Sequence, residues 1–221
     1  GRYQLLAYYG QDNKLIYSNQ YKYDGDGNII SVEKVSDIGT QKYEYTYDAN
    51  NRLITVCEDG VVQTSFVYDA FGNRIKKITS DAEVQYQYNA LQQIVSETTN
   101  KQGEATTKFY SYNQAGHLIS TVCDSIENKY EYDCMDRLVK ISDSQGNLKE
   151  FVRDGLGNCI ETRVIKDGNV SSTKHVIDYS KKKNNIIADI TDDNTSYYVW
   201  EQGLCAMSQA DAMQYVSCDE K

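Results

Sequence analysis

The chain of 221 residues carries a formal net charge of −9, contains 20 tyrosines and has no proline. That acidic balance argues against nucleic acid and anionic membranes as main partners, and no apolar run approaches the ~20 residues of a membrane-spanning helix. Hydrophobic residues make up 40% of the chain, a good share of them Tyr. Tyr must therefore cover much of any buried surface, its ring packing while its hydroxyl stays hydrogen-bonded.

Taken in chain order, one unit recurs. A weak copy starts at Tyr9. Clear copies follow at Tyr23-Asp24-Gly-Asp-Gly-Asn-Ile-Ile30, Tyr47-Asp48-Ala-Asn-Asn-Arg-Leu-Ile54 and Tyr68-Asp69-Ala-Phe-Gly-Asn-Arg-Ile75. The series continues with Tyr88-Asn-Ala-Leu-Gln-Gln-Ile-Val95, Tyr112-Asn-Gln-Ala-Gly-His-Leu-Ile119 and Tyr132-Asp133-Cys-Met-Asp-Arg-Leu-Val139. In a seventh copy, Arg153-Asp154-Gly-Leu-Gly-Asn-Cys-Ile160, the anchor Tyr is lost, and a weak copy starts at Tyr179. Successive anchors from Tyr23 to Arg153 lie 24, 21, 20, 24, 20 and 21 residues apart.

Each unit reads as two strands and a turn. Before the anchor, aromatic and polar residues alternate, as in Tyr43-Glu-Tyr45-Thr-Tyr47 and Tyr130-Glu-Tyr132, the mark of a strand with one packed and one solvated face. The Asp or Asn after the anchor opens a turn by bonding amides just ahead of it. Gly27, Gly72 and Gly157 then supply positions that tolerate positive φ, and an aliphatic residue seven places after each clear anchor starts the return strand. A second turn, such as Asp59-Gly60, Gln102-Gly103 or Asp167-Gly168, leads into the next aromatic strand. The expected fold is all-β: a continuous antiparallel spiral β-sheet of about nine repeated two-strand hairpins, with Tyr rings stacked in ladders across one face. A propeller needs ~40–45 residues per blade, about twice this unit.

Motifs that carry chemistry are sparse. His117 and His175 are too few and too scattered for a triad. Gly155-Leu-Gly157 lacks the rest of a dinucleotide fingerprint, and Asp24-Gly-Asp26-Gly-Asn28 lacks the Gly and Glu that complete an EF-hand loop. Both read as repeat turns. The cysteines 57, 123, 134, 159, 205 and 218 show no CxxC pair, Lys181-Lys182-Lys183 reads as a solvated loop, and Asn169-Val-Ser171 and Asn194-Thr-Ser196 match a short glycosylation sequon. No catalytic, cofactor or metal residue is assigned. The residues singled out are the structural anchors Tyr23, Tyr47, Tyr68, Tyr88, Tyr112 and Tyr132, with Asp24, Asp48, Asp69, Asp133 and Asp154.

The pattern Lys42-Tyr43-Glu-Tyr-Thr-Tyr47-Asp48…Arg52-Leu53-Ile54…Asp59-Gly60 resembles the YD repeat, also called the RHS repeat. So do Asn128-Lys-Tyr-Glu-Tyr-Asp133…Arg137-Leu-Val139 and Gly146-Asn-Leu-Lys-Glu-Phe151…Asp154-Gly-Leu-Gly-Asn158. The resemblance implies residues 1–203 as a repeat array and 204–221 as the start of an RHS-associated core. It implies a sheet wound into a hollow shell, as in bacterial ABC-type and polymorphic toxins, where the shell encloses a C-terminal toxin. Related shells in teneurins serve adhesion. The implied partners are the rest of the parent shell and its cargo, the implied location is secreted or cell-surface, and no enzyme is implied. The alternative is an extracellular adhesion or carbohydrate-binding module, with a glycan or receptor as partner. The aspartate-dependent self-cleavage of toxin relatives uses a proline-containing core motif. This chain has no proline, so that activity is not assigned.

Overall fold

The computed structural model describes residues 2, 4–9, 14–180, 184–200, 203–209 and 212–215. No described residue is helical, and no helix is long and apolar enough to cross a membrane. The chain divides into two compact units, Gly1–Phe109 and Tyr110–Lys221.

The first unit holds β1 (Leu5–Tyr9), β2 (Leu15–Tyr23), β3 (Ile29–Ser36), β4 (Gly39–Tyr47), β5 (Leu53–Glu58), β6 (Val61–Tyr68), β7 (Arg74–Thr79), β8 (Ala82–Tyr88), β9 (Ile94–Lys101) and most of β10 (Glu104–Tyr112). The second holds the end of β10 and β11 (Leu118–Cys123), β12 (Ile126–Tyr132), β13 (Leu138–Asp143), β14 (Leu148–Arg153), β15 (Cys159–Lys166), β16 (Asn169–Asp178), β17 (Asn185–Ile190), β18 (Thr195–Trp200), β19 (Leu204–Gln209) and β20 (Ala212–Tyr215). Within each unit the strands pair antiparallel in chain order.

Two kinds of turn alternate, and they lie at opposite ends of the strands. The turn after each anchor is long and is preceded by a register shift just before the anchor, as at Thr46/Tyr47, Val67/Tyr68, Gln87/Tyr88 and Glu131/Tyr132. At the other end lie two-residue turns with positive φ at both central positions: Asp59-Gly60, Gln102-Gly103, Asp124-Ser125 and Asp167-Gly168. Those dihedrals define type I′ turns, whose twist matches that of the flanking strands. The hairpin unit read from the sequence is the unit of the fold.

There is no thick core. Among the described residues the buried apolar side chains are Val32, Ala188 and Ala206, and the most buried large side chain is Thr121 at 2%. The described tyrosines are half-buried or exposed, because each unit is a single layer in which contacts join strands adjacent in the chain. Tyr rings stack in the first unit. Tyr8 and Tyr17 stack at 4.3 Å and Tyr21 and Tyr23 at 6.5 Å. Other anchor rings are covered by a cation or an imidazole instead: Arg52 lies 4.8 Å from the Tyr68 ring and His117 4.8 Å from Tyr132.

Candidate functional site

The repeat turn is built by one carboxylate. Asp48 Oδ1 accepts the backbone N–H groups of Asn50 at 2.9 Å and Arg52 at 3.0 Å, while Oδ2 accepts Arg52 Nε at 2.6 Å. The backbone closes the loop: Asp48 N–H donates to the Arg52 carbonyl at 2.9 Å, and Asn51 N–H to the Asp48 carbonyl at 3.0 Å. Asn51 at the turn's tight corner has φ +60°, a left-handed conformation that Asn tolerates and that Gly72 and Gly157 occupy at +91°. Asp24, Asp69, Asp133 and Asp154 repeat the arrangement, with Asn28, Asn73, Arg137 and Asn158 as side-chain donors at 2.8–2.9 Å. Asn89 and Asn113 perform the backbone part with a neutral amide.

These bonds favour the charged carboxylate. The Asn28 and Asn73 amides hold Asp24 and Asp69 below the usual range, and the Arg52 backbone N–H does the same for Asp48. At Asp133, burial opposes ionisation but the bonds from Arg137 outweigh it. Asp154 is lowered to about 2, first by Asn158 and then by Tyr179, whose Oη donates to Oδ2 at 2.6 Å. Acceptors committed in this way are not poised for proton transfer. The Asp24 loop is likewise spent, because both of its carboxylate oxygens serve its own turn. Among the described residues no three His, Cys, Asp or Glu side chains gather to hold a metal.

The anchors tie each unit to the one before it. Tyr47 Oη donates to the Ile29 carbonyl at 2.8 Å, Tyr68 to Leu53 at 2.9 Å, Tyr88 to Arg74 at 2.8 Å and Tyr132 to Leu118 at 3.0 Å. Each acceptor is the first or second residue of the preceding return strand. Arg153 fills the same slot with Nη2, 3.0 Å from the Leu138 carbonyl, and Trp200 fills it with Nε1, 2.6 Å from the Ile186 carbonyl. Neighbouring turns are also knitted sideways: Arg52 Nη1 donates to the Asp69 carbonyl at 3.0 Å, and Asn28 Nδ2 to Asn51 Oδ1 at 2.8 Å.

Several sequence readings shift. The copy placed at Tyr179 is framed two residues earlier. The register shift falls at Val176/Ile177, Asp178 takes the turn-opening place by accepting Ser180 N–H, and Tyr179 reaches back to Asp154. Gln145-Gly146-Asn147, which the sequence offers as another second turn, belongs to a full carboxylate turn opened by Asp143 at the opposite end of the strands. Its Asp-x-x-Gly-Asn signature was visible in the sequence. His117 is a turn residue, its backbone N–H donating to Asn113 Oδ1 at 2.9 Å and its Nδ1 3.8 Å from Asp136 Oδ1. His175, read as isolated, is not: Nδ1 lies 2.6 Å from Asp189 Oδ1 and Nε2 2.9 Å from Thr162 Oγ1. Pairing in β15, β16 and β17 assembles what linear spacing hides. Asn169 opens β16 beside a two-residue turn, and Asn194 N–H is bonded to Thr191 Oγ1. Cys57, Cys123, Cys134 and Cys159 are free thiols. Lys181–Lys183, the Cys205 side chain and Cys218 lie outside the described residues.

Comparison with known proteins agrees with this geometry. The Teneurin YD-shell family model matches residues 4–221. The tRNA3(Ser)-specific nuclease WapA of Bacillus spizizenii is 31% identical over 151 residues, which is 66% of this chain and 6% of that protein. Toxin protein Tse5 of Pseudomonas aeruginosa is 27% identical over 157 residues, 67% of this chain and 11% of its own length. Teneurin-m of Drosophila melanogaster is 30% identical over 134 residues, 60% of this chain and 4% of its own. The chain thus spans a small part of each of these relatives. Among solved structures, the Photorhabdus luminescens Tc holotoxin pore matches with TM-score 0.61 at 14% identity, over 89% of this chain and 12% of that one. TcdB2-TccC3 without its hypervariable C-terminal region matches with TM-score 0.52 at 9% identity, over 92% and 14%. Repeated carboxylate turns, anchors bonded to the preceding carbonyl and a family match over nearly the whole length converge: the chain belongs to the YD-shell family of RHS-repeat proteins, and its fold is the YD-shell fold.

Proposed function

We propose that this chain is a stretch of wall in a hollow β-shell that encloses and delivers a C-terminal toxin in a secreted or cell-surface RHS protein. The observation that carries this reading is that each of the two units is, among its described residues, a single layer. A sheet whose described residues bury three apolar side chains, and whose Tyr-rich face stays half-buried, suits a partition better than a self-sufficient globule. The turn and anchor bonds make that partition rigid without a core. One relative named as a toxin and one named as a nuclease support the cargo. The chemistry in those names belongs, in this reading, to parts of them that this chain does not span. Its partners are then the rest of the parent shell and the cargo.

The test is protease protection in the full-length parent protein. A C-terminal domain enclosed by this wall resists digestion while the shell is intact and becomes cleavable once the shell is opened by mild denaturant. Equal cleavage in both states overturns the reading. Glycan-dependent binding by the isolated chain would favour the adhesion alternative.

A further inference from the structure

On the face of the second unit that carries Phe151, Arg153 and Trp200, four polar side chains form a hydrogen-bonded row across four strands. Thr162 of β15 places Oγ1 2.9 Å from His175 Nε2 of β16. His175 Nδ1 lies 2.6 Å from Asp189 Oδ1 of β17, and Tyr198 Oη of β18 donates to Asp189 Oδ2 at 2.9 Å. The strand register enforces this row. His175 sits directly opposite Asp189, and Thr162 sits opposite Thr173, two residues before His175 and therefore on the same face.

The order hydroxyl, imidazole, carboxylate is that of an activated nucleophile, which is recognised by geometry and roles and not by fold. In the tautomer that carries its N–H on Nδ1 and donates it to the carboxylate, the imidazole offers Nε2 as acceptor to the Thr162 hydroxyl. Tyr198 fixes the carboxylate in turn. The His175 side chain is 12% exposed, so the base is held in place and shielded from competing water while its edge stays reachable. One strand away, Phe151 pairs directly with Thr162, and the Lys149 ammonium stands 5.2 Å above the Phe151 ring. That puts a positive charge on the same face, one strand from Thr162.

We propose that Thr162 is an acyl-accepting nucleophile, with His175 as its general base and Asp189 as the group that orients the base. In the reaction, Thr162 Oγ attacks the carbonyl carbon of an activated ester and its proton passes to His175 Nε2. The tetrahedral adduct collapses, the bond from the acyl carbon to the leaving oxygen breaks, and His175 returns the proton to the departing alcohol. Thr162 is left as its ester. Water then hydrolyses it by the same route in reverse, with His175 as base towards the water.

The experiment treats the chain with p-nitrophenyl acetate and measures acetylation of individual peptides by mass spectrometry, with Thr98 as an internal control. Thr98 is also half-buried and also bonded across strands, to Thr107 at 3.0 Å, but it has no imidazole partner. Acetylation at Thr162 is expected to run about a hundredfold faster than at Thr98, the scale of one positioned general base. Thr162→Ser retains the label and Thr162→Val loses it. His175→Gln, with its fold checked by circular dichroism, lowers labelling at position 162 to the Thr98 level. Equal labelling of Thr162 and Thr98 in the unmodified chain overturns the proposal by itself, whatever the variants do. So does labelling that survives in folded His175→Gln.

Discussion

Arg153 Nη2 donates to the Leu138 carbonyl at 3.0 Å, the bond that Tyr132 Oη makes to Leu118 one unit earlier. The anchor slot therefore selects a long side chain with a donor at its tip, and aromatic character is secondary. Arg153 meets that demand at a cost, because its Nε is buried without a hydrogen-bond partner. Arg153→Tyr should keep the bond and remove the orphan, stabilising by up to about 1 kcal/mol, while Arg153→Ala should destabilise by about that much. Urea melts of the two variants beside the parent decide it. A tyrosine variant less stable than the alanine one contradicts the shared slot.

Tyr47 separates the anchor bond from the anchor ring. Tyr47→Phe deletes only the donor to the Ile29 carbonyl and is expected to cost about 1 kcal/mol. Tyr45→Ala, two residues back on the same face, removes a packed ring and should cost about 2–4 kcal/mol. Glu44→Ala, on the opposite face, should stay within about 0.5 kcal/mol. Equal losses at positions 44 and 45 in denaturant melts would show the face assignment to be wrong.

Acid should loosen the turns within a defined window. Asp154 sits at about 2 in the folded chain against an ordinary value of 3.8, and Asp24, Asp48, Asp69 and Asp133 are shifted the same way. A carboxylate lowered by folding contributes stability that is complete above its unfolded value and is lost as pH falls through its folded value. The melting temperature should therefore be flat from pH 7 to about 5 and fall between about 4 and 2. Asp154→Asn should keep the turn, as Asn89 and Asn113 do, and make that fall shallower. An unchanged slope in the Asn variant removes Asp154 from the explanation.

Gly72 isolates the backbone contribution. Its φ is +91°, and a Cβ built there meets nothing nearer than Arg52 Nη1 at 3.9 Å. Gly72→Ala should thus cost about 1 kcal/mol from conformation alone. Gly72→Asn should cost less, since Asn51 holds the same slot at +60°. Chemical denaturation that ranks Asn below Ala would refute this.

The hairpins and the anchors were legible because the signal is local: turn residues, alternation and spacing all sit within one unit. What escaped the sequence depends on partners distant in the chain. Tyr179 looked like an anchor because Tyr usually is one, yet the frame is set by Asp178 and Ile177 pairing with β17. The carboxylate turn at Asp143 is a local exception: it carries the same letters as its counterparts, but Ser142 stands where they have an anchor. The row from Thr162 to Tyr198 spans 36 residues of chain and exists only through register across four strands.

The acceptor of every anchor bond described above is a main-chain carbonyl, contributed by residues as different as Ile29, Leu53, Arg74 and Leu118. A carbonyl is present whatever side chain stands there, so the anchor bond asks for no particular residue in the neighbouring repeat. Unequal recombination between repeats can therefore delete, duplicate or reorder whole hairpins without losing an anchor's acceptor. An array joined in this way lengthens one copy at a time, and its individual units remain free to diverge in everything except the turn and the tip of the anchor.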